Sequence, residues 1–387
     1  MSSSELFAKS FVLVAHVVDG FPSECEYLAA FLNSRGARKV VVLNFPLQKR
    51  SKSRVSIIVY RDGKLVSERS YWRPNFPPVT QVLDLLVMLF PFRTDVWIGF
   101  NPVATFLGTG LARKKTLVNW AIDFVPRRSD NGVAERAYRW IERQVMFKIN
   151  IQVENSKAAL QARSDLTGIT PPLQILAPIG VWAESFAKLT PLINRSRRVI
   201  YFGSLDERNG AQKLPSLIDE LMRRDPSIGF HVIGTGPCEN EITDCINRWS
   251  SSRDVVFHGY IEDQKDVDEL LRASAMAVAP YSSEPGLFTE FADPQKLKYY
   301  AANCLPIFMP RVAKTSESLF ENGAAFELMN TENEAAWASQ ILRLLNDPEG
   351  WMVASTAAQT WSLQFERTSI YASAIDSICR WTRPNSE

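Results

Sequence analysis

Residues 275–308 constrain the fold more than any other stretch. Ala275 to Pro280 is an unbroken apolar run that reads as a buried strand. A polar loop follows, containing Tyr281, Ser282, Ser283, Glu284, Pro285 and Gly286. Asp293-Pro294 then reads as a helix start, with the carboxylate as N-cap and proline at the first helical position. Lys296, Leu297, Tyr299, Tyr300 and Ala301 continue that helix, and Leu305-Pro306-Ile307-Phe308 reads as the next buried strand. Strand, loop, helix, strand is one unit of a parallel α/β sheet, in which ligands collect at the carboxyl ends of the strands. A helix start at that edge offers unpaired N–H groups and the positive end of the peptide dipoles. Lys296, in the first turn, adds a point charge suited to a diphosphate. An ordinary βαβ unit with a surface lysine accounts for the same residue types.

The pattern recurs along the chain. Phe11–Val18 reads as a first strand, Glu24 to Ser34 as an amphipathic helix and Lys39–Phe45 as a second strand. The loop at Asp19–Ser23 holds a single glycine, so there is no dinucleotide fingerprint. Val55–Tyr60 and Lys64–Tyr71 flank a hairpin turn at Arg61-Asp62-Gly63. Val79–Phe90 is apolar on most faces and reads as a core helix, with a membrane-touching helix as the alternative. Val96–Phe100, Thr116–Ile122, Ile151–Glu154 and Leu173–Leu176 read as further strands, with a long helix from Ala134 to Ile149. A second series begins at Arg198–Phe202 and continues through Gly229–Ile233 and Val255–His258, with helices at Leu214–Arg223 and Asp266–Ala273. Helices at 335–346, 350–360 and 368–382 close the chain.

A chain of 387 residues is long for one domain and implies two. Its 46% hydrophobic and 22% charged residues fit a soluble globular protein, and no run approaches the roughly 20 apolar residues of a membrane span. The five cysteines show neither a C-x-x-C pair nor metal spacing, which points to a reduced, cytoplasmic chain. The net charge of +2 hides an asymmetry: residues 1–180 carry 24 Lys+Arg against 14 Asp+Glu, and the remainder 20 against 28. Basic clusters stand at Lys49, Arg50, Lys52 and Arg54 and at Arg113, Lys114 and Lys115. Such clusters suit an acceptor or the anionic inner face of a membrane, and equally a solvated surface. No nucleic-acid motif of defined spacing is present.

Asp266-Val267-Asp268 matches the D-x-D spacing of a metal motif, but it stands at a helix start, where N-capping is the better explanation. His16, His231 and His258 share no metal-ligand spacing, and the latter two read as satisfied core residues. No metal or other cofactor is expected.

The helix Lys296-Leu297-Lys298-Tyr299-Tyr300-Ala301-Ala302-Asn303-Cys304-Leu305-Pro306 resembles the K-L-x-E-Y-x-A-x-G-x-P helix of GT-B-fold glycosyltransferases of the family-4-like group. Tyr299 stands in place of the usual glutamate and Cys304 in place of the glycine. Its A-P-Y-x-S-E and A-D-x-x-K-L-x-x-Y pattern is closest to that of the glucuronosyltransferase of xanthan exopolysaccharide assembly, which also lacks the glutamate. The resemblance is specific over residues 198–310 and covers most of the chain in outline. It implies an α/β GT-B fold, with two Rossmann-like doubly wound domains facing a central cleft and a C-terminal helix crossing back to the first. The domains would be an acceptor-binding 1–180, a nucleotide-sugar-binding 181–362 and a returning segment 363–387.

The same resemblance implies transfer of a sugar from a nucleotide diphosphate sugar, UDP favoured over GDP, to a lipid-linked or glycan acceptor in bacterial polysaccharide assembly. Asp123, at the end of strand 116–122, would be the catalytic base, with a turn cap as the alternative. Donor contacts would come from Gly203, Ser204, Leu205, Tyr260, Ile261, Tyr281, Glu284, Gln295 and Lys296. Arg208 resembles a phosphate-side arginine, and an exposed ion pair accounts for it as well. The missing glutamate at Tyr299 leans toward inversion. A GT-B sugar-nucleotide epimerase and an inactive nucleotide-sugar-binding module are the competing readings.

Overall fold

The computed structural model describes residues 9–17, 23–46, 54–72, 94–109, 115–128, 131–250, 254–282, 290–328 and 333–381. The chain divides into two compact units, residues 1–178 with 368–387, and residues 179–367.

The first unit runs β1 (Ser10–Val17), α1 (Glu24–Ser34), β2 (Lys39–Pro46), β3 (Arg54–Arg61), β4 (Lys64–Trp72), β5 (Val96–Gly99), α2 (Pro102–Thr109), β6 (Thr116–Ala121), α3 (Gly132–Lys148), β7 (Ile151–Glu154), α4 (Lys157–Thr167) and β8 (Leu173–Leu176). Its eight-stranded sheet has the order β4-β3-β2-β1-β5-β6-β7-β8. β3 and β4 form an antiparallel hairpin at one edge. Asp62 (φ 49°) and Gly63 (φ 79°) turn that hairpin, both in the left-handed region that a two-residue turn demands. The remaining strands are parallel. Their buried apolar runs fill two cores, one on each face of the sheet. Ser23 starts α1 with a reciprocal capping box to Glu26. Asn131 caps α3 and Ser156 caps α4. The last helix, Arg367–Arg380, adds Tyr371, Ala374, Ile375 and Ile378 to this unit's core. The expected helix at 79–90, the loop at 18–22 and the segment 73–78 lie outside the described residues.

The second unit runs β9 (Arg198–Phe202), α5 (Leu214–Arg224), β10 (Gly229–Ile233), α6 (Glu239–Trp249), β11 (Val255–Gly259), α7 (Gln264–Ala273), β12 (Met276–Val278), α8 (Gln295–Ala302), β13 (Ile307–Met309), α9 (Glu317–Glu321), β14 (Ala325–Glu327), α10 (Glu334–Leu345) and α11 (Pro348–Ser362). Six parallel strands lie in the order β11-β10-β9-β12-β13-β14. Both units are therefore Rossmann-like, doubly wound α/β sheets. The chain's direction across the sheet reverses between β1 and β5 in the first unit and between β9 and β12 in the second. These are the switch points at whose carboxyl edges such sheets open to ligands.

The sequence places the divisions after 180 and 362, whereas the structure places them after 178 and 367. The physical reason is a short parallel bridge within the second unit. Val181 N–H donates to Phe365 O (2.8 Å), and Arg367 N–H donates to Val181 O (2.9 Å).

Two local expectations, both of helix caps, are corrected, and the reading of His231 as a satisfied core residue agrees with the structure. Asp293 does not cap α8: Pro294 takes the N-cap position without a side-chain bond. The Asp293 carboxylate instead accepts from Ile179 N–H (2.7 Å) and from the buried ammonium of Lys298. The cap of α7 is Asp263, which accepts from Lys265 N–H, so Asp266 and Asp268 lie inside the helix. Asp268 is buried and accepts from Ser185 Oγ at 2.5 Å. His231 is buried and lies 2.9 Å from Asp254 Oδ1 through Nε2 and 2.9 Å from His258 Nε2 through Nδ1. Burial pushes His231 down to about 4, against the pull of Asp254, so the ring is neutral at physiological pH.

Candidate functional site

In the second unit the carboxyl edge at the switch point is built from two loops and a helix start. β9 ends at Phe202, and Gly203 turns the chain with φ 145°. A Cβ on Gly203 would stand 2.7 Å from the Lys296 amino group, so only glycine leaves that group its place. Gly210 (φ 74°) closes the same loop, where a Cβ would overlap the carbonyl of Pro280 at 1.6 Å. The loops after β9 and β12 are thus in backbone contact.

Lys296 lies in the first turn of α8 and reaches between them. Its ammonium donates to Asn209 Oδ1 (2.7 Å) and, at 3.4 Å, to Tyr201 Oη. It also sits 4.9 Å from the ring centroids of both Tyr201 and Tyr281. Asn209 is held in turn by Asp206 Oδ1, which accepts its N–H (2.9 Å) and its Nδ2 (2.8 Å). The lysine side chain keeps partial contact with solvent, but the crowding around the amino group decides its chemistry. Burial lowers Lys296 from its ordinary 10.5 to about 7, with Asp206 opposing. Tyr281 is 3% exposed, and its hydroxyl has no hydrogen-bond partner among the described residues. A cation without a paired carboxylate among the described residues, a hydroxyl likewise unanswered among them and a helix N-terminus therefore meet at one sheet edge. That arrangement suits an anionic, oxygen-rich ligand.

The other expected donor residues divide. Ser204 is exposed beside Gly203 and accepts from Tyr201 Oη through its carbonyl (2.7 Å). Leu205 is fully buried, and both of its main-chain polar groups are used, the N–H by Thr235 O and the carbonyl by Cys238 N–H, so it serves packing. Arg208 is exposed, and its carbonyl accepts from Ser282 N–H (3.2 Å). Tyr260 is half-exposed after β11, and Ile261 packs partly into the core. Gln295, at the start of α8, points its Nε2 to Gly180 O at 3.5 Å. Glu284 lies outside the described residues. Tyr299, in place of the glutamate, is buried edge-on against Phe202 and is a core residue. Cys304, in place of the glycine, holds φ 59°, the left-handed backbone that glycine would adopt freely. Tyr201, Asp206 and Asn209 were not singled out from the sequence, because their roles depend on a contact with α8 some 90 residues away.

In the first unit, Asp123 borders a hollow of about 130 Å³ at the carboxyl ends of β1, β5 and β6, lined also by His16, Glu24, Asn101 and Arg128. Asp123 Oδ1 accepts from Arg128 Nη2 at 2.6 Å, with the carboxylate still 44% exposed. Its carbonyl accepts from Arg163 Nη2 (2.8 Å), a fully buried arginine also paired with Glu142 and Glu154. Lys115 precedes β6 and Asp123 follows it, so the two stand at opposite ends of that strand. Lys115 donates to Thr94 Oγ1 (3.3 Å) and takes no part in the Asp123 hollow. Lys49, Arg50, Lys52, Arg113 and Lys114 lie outside the described residues, as does the side chain of Arg54.

Residues 196–347 match the family glycosyl transferases group 1. Among solved structures, the chain is similar to Anabaena HepE in complex with UDP, with TM-score 0.69 and 16% identity over 96% of this chain and 100% of that one. It is similar to sucrose-phosphate synthase from Thermosynechococcus elongatus, with TM-score 0.67 and 14% identity over 95% and 98%. It is also similar to S. aureus TarM in complex with Fondaparinux, alpha-GlcNAc-glycerol and UDP, with TM-score 0.60 and 13% identity over 94% and 84%. No curated protein matches the chain. With two Rossmann-like units and these likenesses, the chain has the GT-B fold, and most of its second unit matches the glycosyl transferases group 1 family.

Proposed function

We propose that the protein is a glycosyltransferase that moves a sugar from a nucleotide diphosphate sugar, a UDP-sugar first, to a lipid-linked or glycan acceptor in bacterial polysaccharide biosynthesis. The observation that carries this reading is the placement of Lys296 and the unanswered Tyr281 hydroxyl at the start of α8. The group 1 match spans these residues, and HepE and TarM bind UDP. On pattern likeness a glucuronosyl donor is among those to test first. In this reading the diphosphate leaving group is neutralised by Lys296 and the α8 N-terminus, without a metal. The second unit holds the donor and the first supplies Asp123 as the base of an inverting transfer.

Thermal shift against UDP, GDP, CMP, ADP and TDP tests the donor reading. UDP is expected to raise the unfolding midpoint, since a ligand at a hundred times its Kd adds about 2.7 kcal/mol to folding. No shift with any nucleotide would sink it. Epimerisation of a free nucleotide sugar without an acceptor would point to an epimerase instead.

Asp123→Asn tests the base. Transfer is expected to fall by about 10² to 10⁴ while the nucleotide-induced shift stays at its wild-type size. Equal loss of both would make Asp123 a structural partner of Arg128.

A further inference from the structure

Helix α3 carries a second surface that the transferase reading does not use. Its buried face is Glu142, Val145 and Met146, with Glu142 tied to Arg163. The opposite face leaves Val133 68%, Trp140 56% and Phe147 75% exposed. These three residues are spaced seven apart, so they lie along one side of the helix. Arg136 and Arg143 repeat at the same interval between them, and Lys148 follows Phe147, all exposed. No exposed carboxylate answers them on this helix, because Glu135 is taken by Arg139 and Glu142 is buried. Beside Trp140, a hollow of about 330 Å³ between α3 and α4 is lined by Arg139, Arg143 and Leu166, and Leu166 is 40% exposed.

We propose that α3 lies flat on an anionic lipid surface, with Trp140 and Phe147 entering the headgroup layer and Arg136, Arg143 and Lys148 meeting lipid phosphates. Large apolar side chains held in water along a single stripe mark a contact surface. Aromatic residues interleaved with arginine and lysine match the chemistry of a membrane interface, apolar just below an anionic layer. A second copy of the chain fits less well: pairing this face with itself brings arginines together with no acidic partner. The stripe's residues are other positions of the sequence than the basic clusters at 49–54 and 113–115. The proposal does not rest on the transferase reading, since vesicle binding needs neither donor nor turnover.

The test is sedimentation of the full chain with vesicles of phosphatidylcholine alone and of phosphatidylcholine mixed with phosphatidylglycerol, at low and high salt. Binding is expected to the anionic vesicles only, weakening at high salt. Arg136→Glu/Arg143→Glu should lower it more than tenfold, each cation near such a surface being worth about fivefold. Trp140→Ser/Phe147→Ser should lower it at least tenfold as well, with the protein still folded, its midpoint lowered only by the lost edge-on contact of Trp140 with Phe106, and any nucleotide-induced shift unchanged. Failure of the wild type to sediment, or sedimentation indifferent to both double variants, would overturn the proposal. So would a dimer in light scattering that Trp140→Ser/Phe147→Ser dissociates, which would assign the face to a second copy.

Discussion

Arg163→Met is expected to cost the protein about 3–5 kcal/mol of stability, more at alkaline than at acid pH. Arg163 is fully buried and stands between the carboxylates of Glu154 and Glu142, themselves buried. One guanidinium answers one carboxylate, and the second is left to find relief. Burial pushes Glu154 up to about 7, against the opposing charge of Arg163, while the same carboxylates raise Arg163. The two directions agree physically, since a proton on Glu154 leaves the cluster neutral. Removing the arginine strands both carboxylates, and uncompensated buried charge is what makes such deletions expensive. The pH dependence follows from the sign. A carboxyl raised in the folded state keeps its contribution below its unfolded value and loses it as pH rises through the folded one. Without Arg163 that rise is larger, so the deficit against wild type should grow between about pH 5 and 8. Urea unfolding across that range would show it. A deficit under about 1 kcal/mol, or one flat with pH, would remove Arg163 from this role. Arg163→Met/Glu154→Gln should recover part of the loss.

That cluster also shows what a sequence conceals. Thr105 donates to Asn119 (2.7 Å), Asn119 to Gln152 (2.9 Å) and Gln152 to Glu154 (2.8 Å), a buried polar line ending on Arg163. Asn119 and Gln152 face each other in the register of β6 and β7, which strand periodicity alone does not specify. The strands themselves were legible, because parallel strands buried on both faces are written as unbroken apolar runs. The β3–β4 hairpin was legible from Asp62-Gly63. Helix α6 is not legible in the sequence, because Glu239–Trp249 is mostly polar, with only Ile242, Cys245 and Ile246 buried. β14 is three residues long and gives no period to read. Asp293 looked like a cap because its local sequence is that of a cap. Its actual partners are Lys298 and a main-chain N–H at Ile179, far away in the chain. Lys296 is legible in the sequence, whereas Asn209 and Tyr201, which hold it, are not.

Lys296→Met should stabilise the nucleotide-free protein while abolishing most of its response to nucleotide. The ammonium is held at about 7, against 10.5 ordinarily, by crowding. At neutral pH and below, that displacement corresponds to a folding cost of roughly 5 kcal/mol at most. Partial solvent contact and the two tyrosine rings reduce it. Loss of the bonds to Asn209 and Tyr201 takes back about 1 kcal/mol each. A net gain of about 1–3 kcal/mol at and below pH 7 remains. The sign fixes its pH course. Between 7 and 10.5 the unfolded chain binds the extra proton, so wild-type stability rises with pH through that window and the advantage of the methionine variant fades. The nucleotide reverses the balance. A diphosphate beside the amino group favours its charged form, so above pH 7 wild-type binding should take up a proton and weaken as pH rises. In calorimetry at alkaline pH the wild-type enthalpy should therefore change with the ionisation enthalpy of the buffer, and that of any residual binding by the variant should not. Affinity in the variant should fall by about 10- to 150-fold, the worth of one charge-assisted hydrogen bond. A variant less stable than wild type at every pH would mean that the lysine is structural. One that binds UDP with undiminished affinity would place the diphosphate elsewhere, and the start of α8 would then lose its claim to the donor.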